Sequence, residues 1–323
     1  MKILVAGGAG YVGSCCVEYL LDNGHEVTVL DSLVKGHRAA VDSRATFIEA
    51  DLADTKRLET VFKSSGIEGV IHFAAFIEVG ESMAVPGRYF RNNVCCGINL
   101  LNAAVRHGVK KIVFSSTAAV YGAPENVPIP ETAAKDPINP YGESKLMFER
   151  ILRWYHEVYG LPYAALRYFN AAGATVHFGE DHDPESHLIP IIFQTLTGQR
   201  DSISIFGDDY ATRDGTCVRD YVHVLDLAQA HLLALESDEA GSFNLGSGSG
   251  HSVREVIDAV EAVTGQKVPA VVSARRTGDP AQLISDSTKA KRKLCWHPCH
   301  DSLTDIVESA WKWRNCHPEG YAN

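Results

Sequence analysis

The 323-residue sequence predicts an α/β protein with a doubly wound parallel sheet in its first part and a smaller α/β lobe in its second. Apolar, β-branched runs recur along the first half, each followed by a helical or turn segment. Such runs are typical of a parallel sheet with helices on both faces. Beyond about Arg167 this alternation stops, and a loop rich in Ala, Gly and charge follows. We therefore place the sheet domain at residues 1–170 and a mainly ligand-binding lobe at 171–323, with some of its segments returning to the first domain.

Five apolar runs supply the strands of the predicted sheet. In chain order they are KILVAG, EVTVLD, ATFIEAD, GVIHFAA and KIVFSS. The segment YVGSCCVEYLLDNG after the first run predicts the first helix. In the second part we predict helices near residues 189–197, 225–236 and 303–314, and short strands near 243–245 and 268–272.

Composition argues against several classes of function. The net charge is −10 and no basic cluster stands out, which makes nucleic acid and anionic membranes poor partners. A run of ~18 apolar residues, the length needed to span a bilayer, does not occur. Eight cysteines, including the adjacent pairs Cys15–Cys16 and Cys95–Cys96, fit reduced thiols in a cytoplasmic protein better than a disulfide framework.

A glycine-rich turn follows the first strand and opens the first helix. In GGAGYVG, Gly7, Gly10 and Gly13 lie three residues apart, which allows a tight turn and a close approach of backbone amides to a pyrophosphate. The next strand ends in Asp31, which can accept hydrogen bonds from the adenosine ribose and would repel a 2′-phosphate. The pattern predicts a dinucleotide site of the Rossmann type that prefers NAD.

Two basic residues keep a second interpretation of this site open. Lys35 and Arg38 lie shortly after Asp31 and could pair with the additional phosphate of NADP. Glycines at this spacing could also serve a tight turn alone, although their place between a strand and a helix favours the dinucleotide.

Tyr141 and Lys145 lie four residues apart on a helix predicted to begin near Pro140. The positive charges of Lys145 and of a bound oxidised nicotinamide would both lower the pKa of the phenol, which is ~10 in water. Tyr141 could then act as general base toward a sugar hydroxyl. Ser115 and Thr117 end a strand at the carboxyl edge of the sheet, and Thr117 could relay the same proton. On its own, such a tyrosine–lysine pair is common on protein surfaces.

Several motifs together resemble the extended short-chain dehydrogenase/reductase family: GGAGYVG with Asp31, SST followed by YGESK, and RYFNAAG. IFGDDYATRDGTCVRDYVHVLDLAQAH and RRTGDPAQ resemble the nucleotide-sugar epimerases of that family. The resemblance runs from Met1 to the terminal HPEGYAN. It implies an NAD-dependent isomerase that interconverts UDP-galactose and UDP-glucose. Tyr141 would deprotonate the 4′-hydroxyl while NAD takes a hydride from C4′ and later returns it to the other face of the 4-keto sugar.

The resemblance also assigns residues to the site, and it implies a homodimer. The catalytic set is Tyr141, Lys145 and Thr117. The cofactor-binding set is Gly7, Gly10, Tyr11, Val12, Gly13, Asp31, Asp51, Leu52, Phe73, Ala74, Ala75, Asn93, Ser115, Tyr141, Lys145 and Phe169. The substrate-binding set is Thr117, Tyr141, Asn170, His187, Leu188, Phe206, Arg219, Arg276, Asp279 and Leu283. Within it, Arg219 and Arg276 would bind the diphosphate through their planar guanidinium groups.

Three positions depart from the pattern of some relatives. Ile77 stands where some carry a lysine near the nicotinamide, and His187 stands where many carry asparagine. Leu283 stands where some carry tyrosine, and the shorter side chain predicts a roomier sugar pocket.

Metal binding is not expected. The segment CWHPCH at residues 295–300 matches no familiar zinc spacing, even with Cys316 and His317 nearby. His177, His182 and His187 lie five residues apart in a predicted loop, which is also not a metal motif.

Other functions remain alternatives. The epimerase could also act on UDP-N-acetylhexosamines or UDP-pentoses. A nucleotide-sugar dehydratase would use the same loop and tyrosine, but its relatives carry an acidic pair after the threonine, where Ala118 and Ala119 stand here. A non-catalytic dinucleotide-binding protein is also possible, although Tyr141 and Lys145 are both present.

Overall fold

The computed structural model describes residues 1–276 and 279–321, and its first part alternates strands with helices. In chain order its elements are β1 (Lys2–Ala6), α1 (Tyr11–Asp22), β2 (Glu26–Asp31), β3 (Thr46–Glu49), α2 (Thr55–Ser65), β4 (Gly69–His72), α3 (Val79–Ala84), α4 (Pro86–Tyr89), α5 (Gly97–Arg106), β5 (Lys111–Thr117), α6 (Pro140–Tyr159) and β6 (Tyr163–Tyr168). A π-helical segment, Phe90–Cys96, connects α4 to α5. The five strands and the first helix predicted from the sequence are confirmed.

The second part has shorter strands between its helices. Its elements are β7 (Asn170–Ala172), α7 (Leu188–Leu196), β8 (Ile203–Phe206), β9 (Val218–Arg219), β10 (Tyr221–His223), α8 (Val224–Glu236), β11 (Gly241–Leu245), β12 (His251–Ser252), α9 (Val253–Thr264), β13 (Ala270–Ser273), β14 (Gln282–Leu283), α10 (Thr288–Lys293) and α11 (Leu303–Cys316). The helices and strands predicted for this part are present. The loop predicted from Arg167 onward is partly wrong, because β6 continues to Tyr168 and β7 pairs with β10.

A seven-stranded parallel sheet with the order β11-β6-β5-β4-β1-β2-β3 lies at the centre of the fold. Buried apolar side chains cover both faces. One core includes residues of α1 and α8, and the other includes residues of α2, α5 and α6. This is the doubly wound, Rossmann-type arrangement that the sequence predicts. β11 comes from the second part of the chain and completes the sheet beside β6.

Three helices of the second part form a separate core. Apolar residues of α7, α9 and α11 pack together beside β8 and the short strand β10. β9 lies between β12 and β14 in a small sheet of three strands. These short elements bring distant parts of the chain next to the carboxyl ends of the central strands, where doubly wound proteins bind ligands.

A buried ion pair connects α6 to the central sheet. Arg167 on β6 binds both carboxylate oxygens of Glu149 on α6, and its Nε donates to Oε1 over 2.8 Å. The same carboxylate accepts a hydrogen bond from the Ser116 hydroxyl, and Arg167 also donates to the Tyr121 hydroxyl over 2.9 Å. Because both charges are buried and fully hydrogen-bonded, the loss of either one leaves the other without compensation.

We predict that Arg167→Leu lowers the free energy of unfolding by about 3–5 kcal/mol, because Glu149 is left charged and buried. The double variant Arg167→Leu/Glu149→Leu is expected to be more stable than the sum of the two single effects. Urea denaturation measures both. Arg153→Leu is the matched control, since its i,i+4 pair with Glu157 on the same helix is exposed and changes stability by less than about 1 kcal/mol. Equal effects of Arg167→Leu and Arg153→Leu would contradict the prediction.

Candidate active site

A cleft of about 420 Å³ lies at the carboxyl ends of the central strands. Its walls come from the loops after β1, β2, β4 and β5, from the start of α6, and from the segment after β6. Parallel strands end at one edge of the sheet, so residues far apart in the sequence meet here. The cleft is therefore where the predicted cofactor and substrate residues should converge.

The glycine turn forms the floor of this cleft through close backbone packing. A Cβ atom on Gly7 would lie 2.4 Å from the Ala74 nitrogen, and one on Gly13 would lie 2.2 Å from the Gly7 oxygen. A Cβ on Gly10 would meet only the Gly7 oxygen, at 3.6 Å, and would otherwise stand in the cleft. α1 begins at Tyr11 without a side-chain cap, so its first amides are available to an anion. The turn fits a pyrophosphate.

Asp31 lies at the end of β2 with its carboxylate held in the cleft wall. Its two oxygens accept hydrogen bonds from the backbone nitrogens of Ala9 and Leu33, over 3.0 and 2.9 Å. Burial raises the pKa of this carboxyl group, and those hydrogen bonds act in the opposite direction. A carboxylate fixed at this position suits a ribose diol and disfavours an added phosphate.

Lys35 and Arg38, the two basic residues that could pair with the additional phosphate of NADP, both have partners within the protein. The Lys35 ammonium donates to the backbone oxygen of Asp183 over 2.6 Å. The Arg38 guanidinium lies over the ring of Phe47, 4.5 Å from its centroid. Both basic groups therefore already have partners within the protein, which favours NAD.

Most of the predicted cofactor residues line the cleft. They are Gly7, Gly10, Tyr11, Val12, Gly13, Asp31, Asp51, Leu52, Phe73, Ala74, Ala75, Ser115, Tyr141, Lys145 and Phe169. Asn93 is different, because it is buried in the π-helical segment behind the wall. Its side-chain nitrogen donates to the Phe76 oxygen and the Ser144 hydroxyl, each over 3.0 Å. Asn93 thus supports the cleft wall from behind, and its contact with the cofactor stays a prediction.

Tyr141, Lys145 and Thr117 meet at the inner end of the cleft. α6 begins at Pro140 with the Asn139 side chain as its cap, which places Tyr141 in the first turn and Lys145 one turn later. The Lys145 ammonium is buried, donates to the Ser115 carbonyl oxygen over 2.7 Å, and lies 6.0 Å from the centroid of the Tyr141 ring. Thr117 interacts with the Tyr141 phenol from the end of β5.

The predicted downward shift of the Tyr141 pKa is not found in the protein alone. Burial raises the pKa of Tyr141, Thr117 lowers it, and the negative charge of Glu78 raises it again. Lys145 has no such effect, because burial lowers its own pKa to about 7 even though Glu149 acts in the opposite direction. The prediction assumed a lysine that is fully charged at neutral pH. The second effect expected to lower the pKa of Tyr141, the positive charge of the nicotinamide, acts only when the cofactor is bound.

The predicted substrate residues fall into two groups. Asn170, His187 and Leu283 line the cleft together with Thr117 and Tyr141. The second group lies outside the cleft wall and consists of Leu188, Phe206, Arg219, Arg276 and Asp279. Leu188 is the first residue of α7 and packs against the core of the second part.

The other four members of the second group contact one another in pairs. A guanidinium nitrogen of Arg219 pairs with the Asp279 carboxylate, and the Arg276 guanidinium lies 3.9 Å from the centroid of the Phe206 ring. Leu283 on β14 is aligned with Arg219 on β9, so the group adjoins the cleft at this point. The family resemblance had assigned these four residues to one ligand. Phe206 lies on the short strand β8 and Arg219 on the short strand β9.

A loop that sequence reasoning left unassigned forms the outer wall. Residues 179 and 181–183 line the cleft beside the start of α1. Asp181 accepts a hydrogen bond from the Tyr321 nitrogen over 2.8 Å, and its backbone oxygen lies 3.0 Å from the His37 Nε2. The hydrogen bond from Lys35 to Asp183 adds a third connection. Because the connections join segments far apart in the chain, no local sequence signal marks them.

The two histidine-containing segments behave differently. In residues 295–300 the backbone nitrogens of Cys299 and His300 donate to the Asp226 carboxylate over 2.8 and 3.0 Å, and Trp296 is fully buried. This segment packs against α8. By contrast, His182 and His187 lie close to Glu180 and Glu185, with one possible ligand atom from each side chain within 4.8 Å of the others. The expectation of no metal site did not anticipate this cluster.

The Rossmann-type sheet, the glycine turn and the tyrosine–lysine pair in the cleft define a dinucleotide-dependent enzyme of the extended short-chain dehydrogenase/reductase class. More particularly, the chain belongs to the NAD dependent epimerase/dehydratase family, which matches residues 3–246. The predicted cofactor, NAD, is confirmed by this family.

Individual relatives agree over the whole chain. The sequence is 53% identical over 328 residues to UDP-glucose 4-epimerase of Halalkalibacterium halodurans, covering 100% of this chain and 98% of that protein. A crystal structure of UDP-glucose 4-epimerase superposes with a TM-score of 0.98 at 47% identity and covers 100% of both chains. The enzyme from Brucella ovis in complex with NAD has a TM-score of 0.93 at 44% identity, covering 97% of this chain and 98% of that one.

We predict that the contribution of Lys145 to the free energy of unfolding increases with pH. The unfolded chain keeps this lysine protonated up to about pH 10, whereas the folded protein releases the proton above a pKa of about 7. Between these values the unfolded state binds more protons, so a higher pH favours the folded state. Relative to Lys145→Met, the wild-type free energy of unfolding should increase by roughly 1–2 kcal/mol between about pH 6.5 and 8.5.

Urea denaturation at each pH measures this difference. Lys312→Met is the matched control, because Lys312 lies exposed on α11 and its difference from wild type should not depend on pH. A Lys145→Met difference that stays constant across this range would contradict the lowered pKa.

Proposed function

We propose that this protein is a UDP-glucose 4-epimerase that interconverts UDP-galactose and UDP-glucose with NAD as its resident cofactor. The observation that carries the proposal is the position of Tyr141, Thr117 and Lys145 at the inner end of a cleft whose outer part fits a dinucleotide. Full-length similarity to enzymes of that name supports the same reaction.

Different residues of the chain would bind the cofactor and transfer the proton. The glycine turn and Asp31 would hold the pyrophosphate and the adenosine ribose. NAD, when bound, accepts hydride from the sugar C4′ and returns it, so the overall reaction is redox-neutral. Tyr141 exchanges the proton of the 4′-hydroxyl, and Thr117 lies beside the phenol as a partner for the same hydroxyl. Lys145 fixes its ammonium on the Ser115 carbonyl at the inner wall.

The raised pKa of Tyr141 has a consequence for the order of events. In the protein alone the phenol keeps its proton at neutral pH. The proton-accepting form therefore depends on charge that arrives with the ligands, because an adjacent positive charge favours the phenolate. A base that becomes competent only in the complete complex avoids carrying an unpaired charge in the empty cleft.

The side chains beside Leu283 suit the nucleotide part of the proposed substrate. Arg219 and Arg276 supply two guanidinium groups that suit a diphosphate. The Phe206 ring lies against Arg276, and Asp279 can accept a hydrogen bond from a ribose hydroxyl. Ala118 and Ala119 line the cleft directly after Thr117 and carry no acid or base, which disfavours the elimination of water by a dehydratase.

The direct test incubates the purified protein with UDP-galactose and no added NAD and measures the UDP-glucose formed. Tyr141→Phe should bind the nucleotides normally and lose about 10²–10⁴-fold in kcat. Tyr155→Phe is the matched control, because Tyr155 lies on the same helix with its hydroxyl bonded to Asn102, away from the cleft. A 4-keto-6-deoxy product would indicate a dehydratase, and no product would leave only a binding function.

The sugar specificity should depend on Leu283, which stands in the cleft wall next to Phe169 and Asn170. We predict UDP-galactose and UDP-glucose as the main pair, with weaker activity on the N-acetylated pair, because leucine leaves more room than tyrosine. Leu283→Tyr should then lower kcat/KM for UDP-N-acetylglucosamine relative to UDP-glucose by about 10-fold, a difference of ~1–3 kcal/mol from one pocket wall. An unchanged ratio would remove Leu283 as a determinant.

We also propose that the chain forms a homodimer through α6. Apolar side chains recur at helical spacing on its outer face, with Met147, Trp154 and Val158 exposed to 36%, 56% and 64%. Such a stripe on a surface helix is typical of a helix-to-helix interface. Sedimentation of wild type and of Trp154→Glu would show whether this face holds two copies together.

A reducing compartment, the cytoplasm, is the proposed location, because it would keep the eight free cysteines as thiols. Four of them are buried, among them the adjacent pair Cys15–Cys16 in α1. Within residues 1–276 and 279–321, no helix has both the length and the apolarity needed to cross a bilayer.

A further inference from the structure

Four titratable side chains on the loop before α7 converge on one point. Glu180, His182, Glu185 and His187 each direct one nitrogen or carboxylate oxygen to a common centre, and these four atoms lie within 4.8 Å of one another. The four residues fall within eight positions of the sequence, and the loop must turn back on itself to bring them together.

The separations between these atoms resemble the edges of a coordination polyhedron. Glu180 Oε1 lies 2.5 Å from His187 Nδ1 and 3.2 Å from His182 Nδ1. Glu185 Oε2 lies 3.9 Å from His182 Nδ1, and the other Glu185 oxygen, Oε1, lies 3.6 Å from His187 Nδ1. Ligand bonds of about 2.0–2.2 Å in a tetrahedral site place neighbouring ligand atoms roughly 3.3 Å apart. The separations of His182 Nδ1 from Glu180 Oε1 and from Glu185 Oε2 are both within roughly 0.6 Å of that value.

The cluster has buried polar atoms that hydrogen bonding does not satisfy. Among the described residues, Glu180 Oε1 and the Nδ1 atoms of His182 and His187 are buried and have no hydrogen-bond partner, despite their proximity. The side chains of Glu180 and Glu185 are only 8% and 2% exposed. With both imidazoles neutral, as metal ligands are, the two buried carboxylates carry two uncompensated negative charges, and burial of such charge is costly. One divalent cation would balance both.

We propose that Glu180, His182, Glu185 and His187 bind one divalent transition-metal ion, with zinc as the ion best suited to the site. Two imidazole nitrogens and two carboxylate oxygens form a donor set that Zn²⁺ accepts in tetrahedral geometry. The Glu185 carboxylate is already oriented, because its Oε1 accepts hydrogen bonds from the backbone nitrogens of Ser186 and His187, both over 2.8 Å. Glu185 Oε2 is therefore left to bind the metal. In other metal sites, hydrogen bonds from surrounding groups likewise hold the ligands in position.

The role of this ion is structural and concerns the wall of the cleft. His187 is the residue directly before α7, and Glu180 belongs to the loop that closes the outer side of the cleft. An ion bound by both would join that loop to the start of α7. His182 and His187 themselves line the cleft, so the ion fixes their rings where the ligands pass. Three of the four ligand atoms, on Glu180, His182 and His187, are buried, which fits a closed structural site better than a catalytic one.

The alternative is a cluster without metal, in which protonated imidazoles balance the two carboxylates. The cluster is electrically neutral in both states, so its net charge does not distinguish them. They differ in composition, because one holds a metal ion and the other holds two protons. The test therefore counts metal and identifies its ligands, and it does not depend on whether the protein is an epimerase.

The experiment strips the purified full-length protein with EDTA, adds Zn²⁺, removes the excess by gel filtration and measures zinc by mass spectrometry. We expect about one zinc per chain and a higher melting temperature after loading, since binding to the folded state alone stabilises it. Glu180→Gln and His182→Asn should retain far less zinc and lose the shift in melting temperature. His177→Asn is the matched control, because His177 lies on the same loop but outside the cluster and pairs with Glu18.

A variant without exposed thiols tests whether cysteines, instead of the cluster, bind the zinc. Cys295, Cys299 and Cys316 are exposed thiols, so their replacement by serine should leave the zinc content unchanged. X-ray absorption at the zinc edge of the wild-type protein should show nitrogen and oxygen ligands, and this measurement does not require any variant to fold. The proposal is overturned if wild type retains no stoichiometric zinc, if Glu180→Gln retains as much as wild type, or if the ligands are sulfur.

Discussion

The burial of the Lys145 ammonium is the constraint on which the active site depends. Removing such a charge from water costs several kcal/mol, so its surroundings must be fixed precisely. The ammonium is hydrogen-bonded to the Ser115 carbonyl at the end of β5, and Glu149 lies one turn further along α6. Glu149 is in turn held by Arg167 on β6. Helix α6, which carries Tyr141, and the two strands are therefore positioned by these buried groups.

The two ends of the cleft are built by different physical means. The dinucleotide end depends on backbone geometry, since Gly7 and Gly13 pack against other backbone atoms and the first amides of α1 stay free. The end proposed for the sugar nucleotide depends on side chains carried by strands of two residues, β9 and β14, which align Arg219 with Leu283. Backbone geometry tolerates few substitutions, whereas side chains on short strands can change without disturbing the sheet.

The features predicted correctly from the sequence are those encoded by local patterns. Apolar runs identified the central strands, and spacing identified the glycine turn, Asp31 and the positions of Tyr141 and Lys145 on one helix. What the sequence did not predict concerns burial and long-range contact. The direction of the Tyr141 pKa shift depends on how deeply Lys145 is buried, and the contacts that hold Asn93 behind the cleft wall come from distant residues. Neither property can be inferred from neighbours in the sequence.

The loop that closes the outer side of the cleft has a kinetic consequence. Its hydrogen bonds to Lys35, His37 and Tyr321 join it to the segment after β2 and to the last described residue, all at the wall of the cleft. If these bonds must break before a bound dinucleotide leaves, the lifetime of the bound cofactor is set by local unfolding as well as by the cofactor's own contacts. An enzyme that keeps one cofactor molecule through many cycles runs at a rate independent of the cellular ratio of oxidised to reduced dinucleotide.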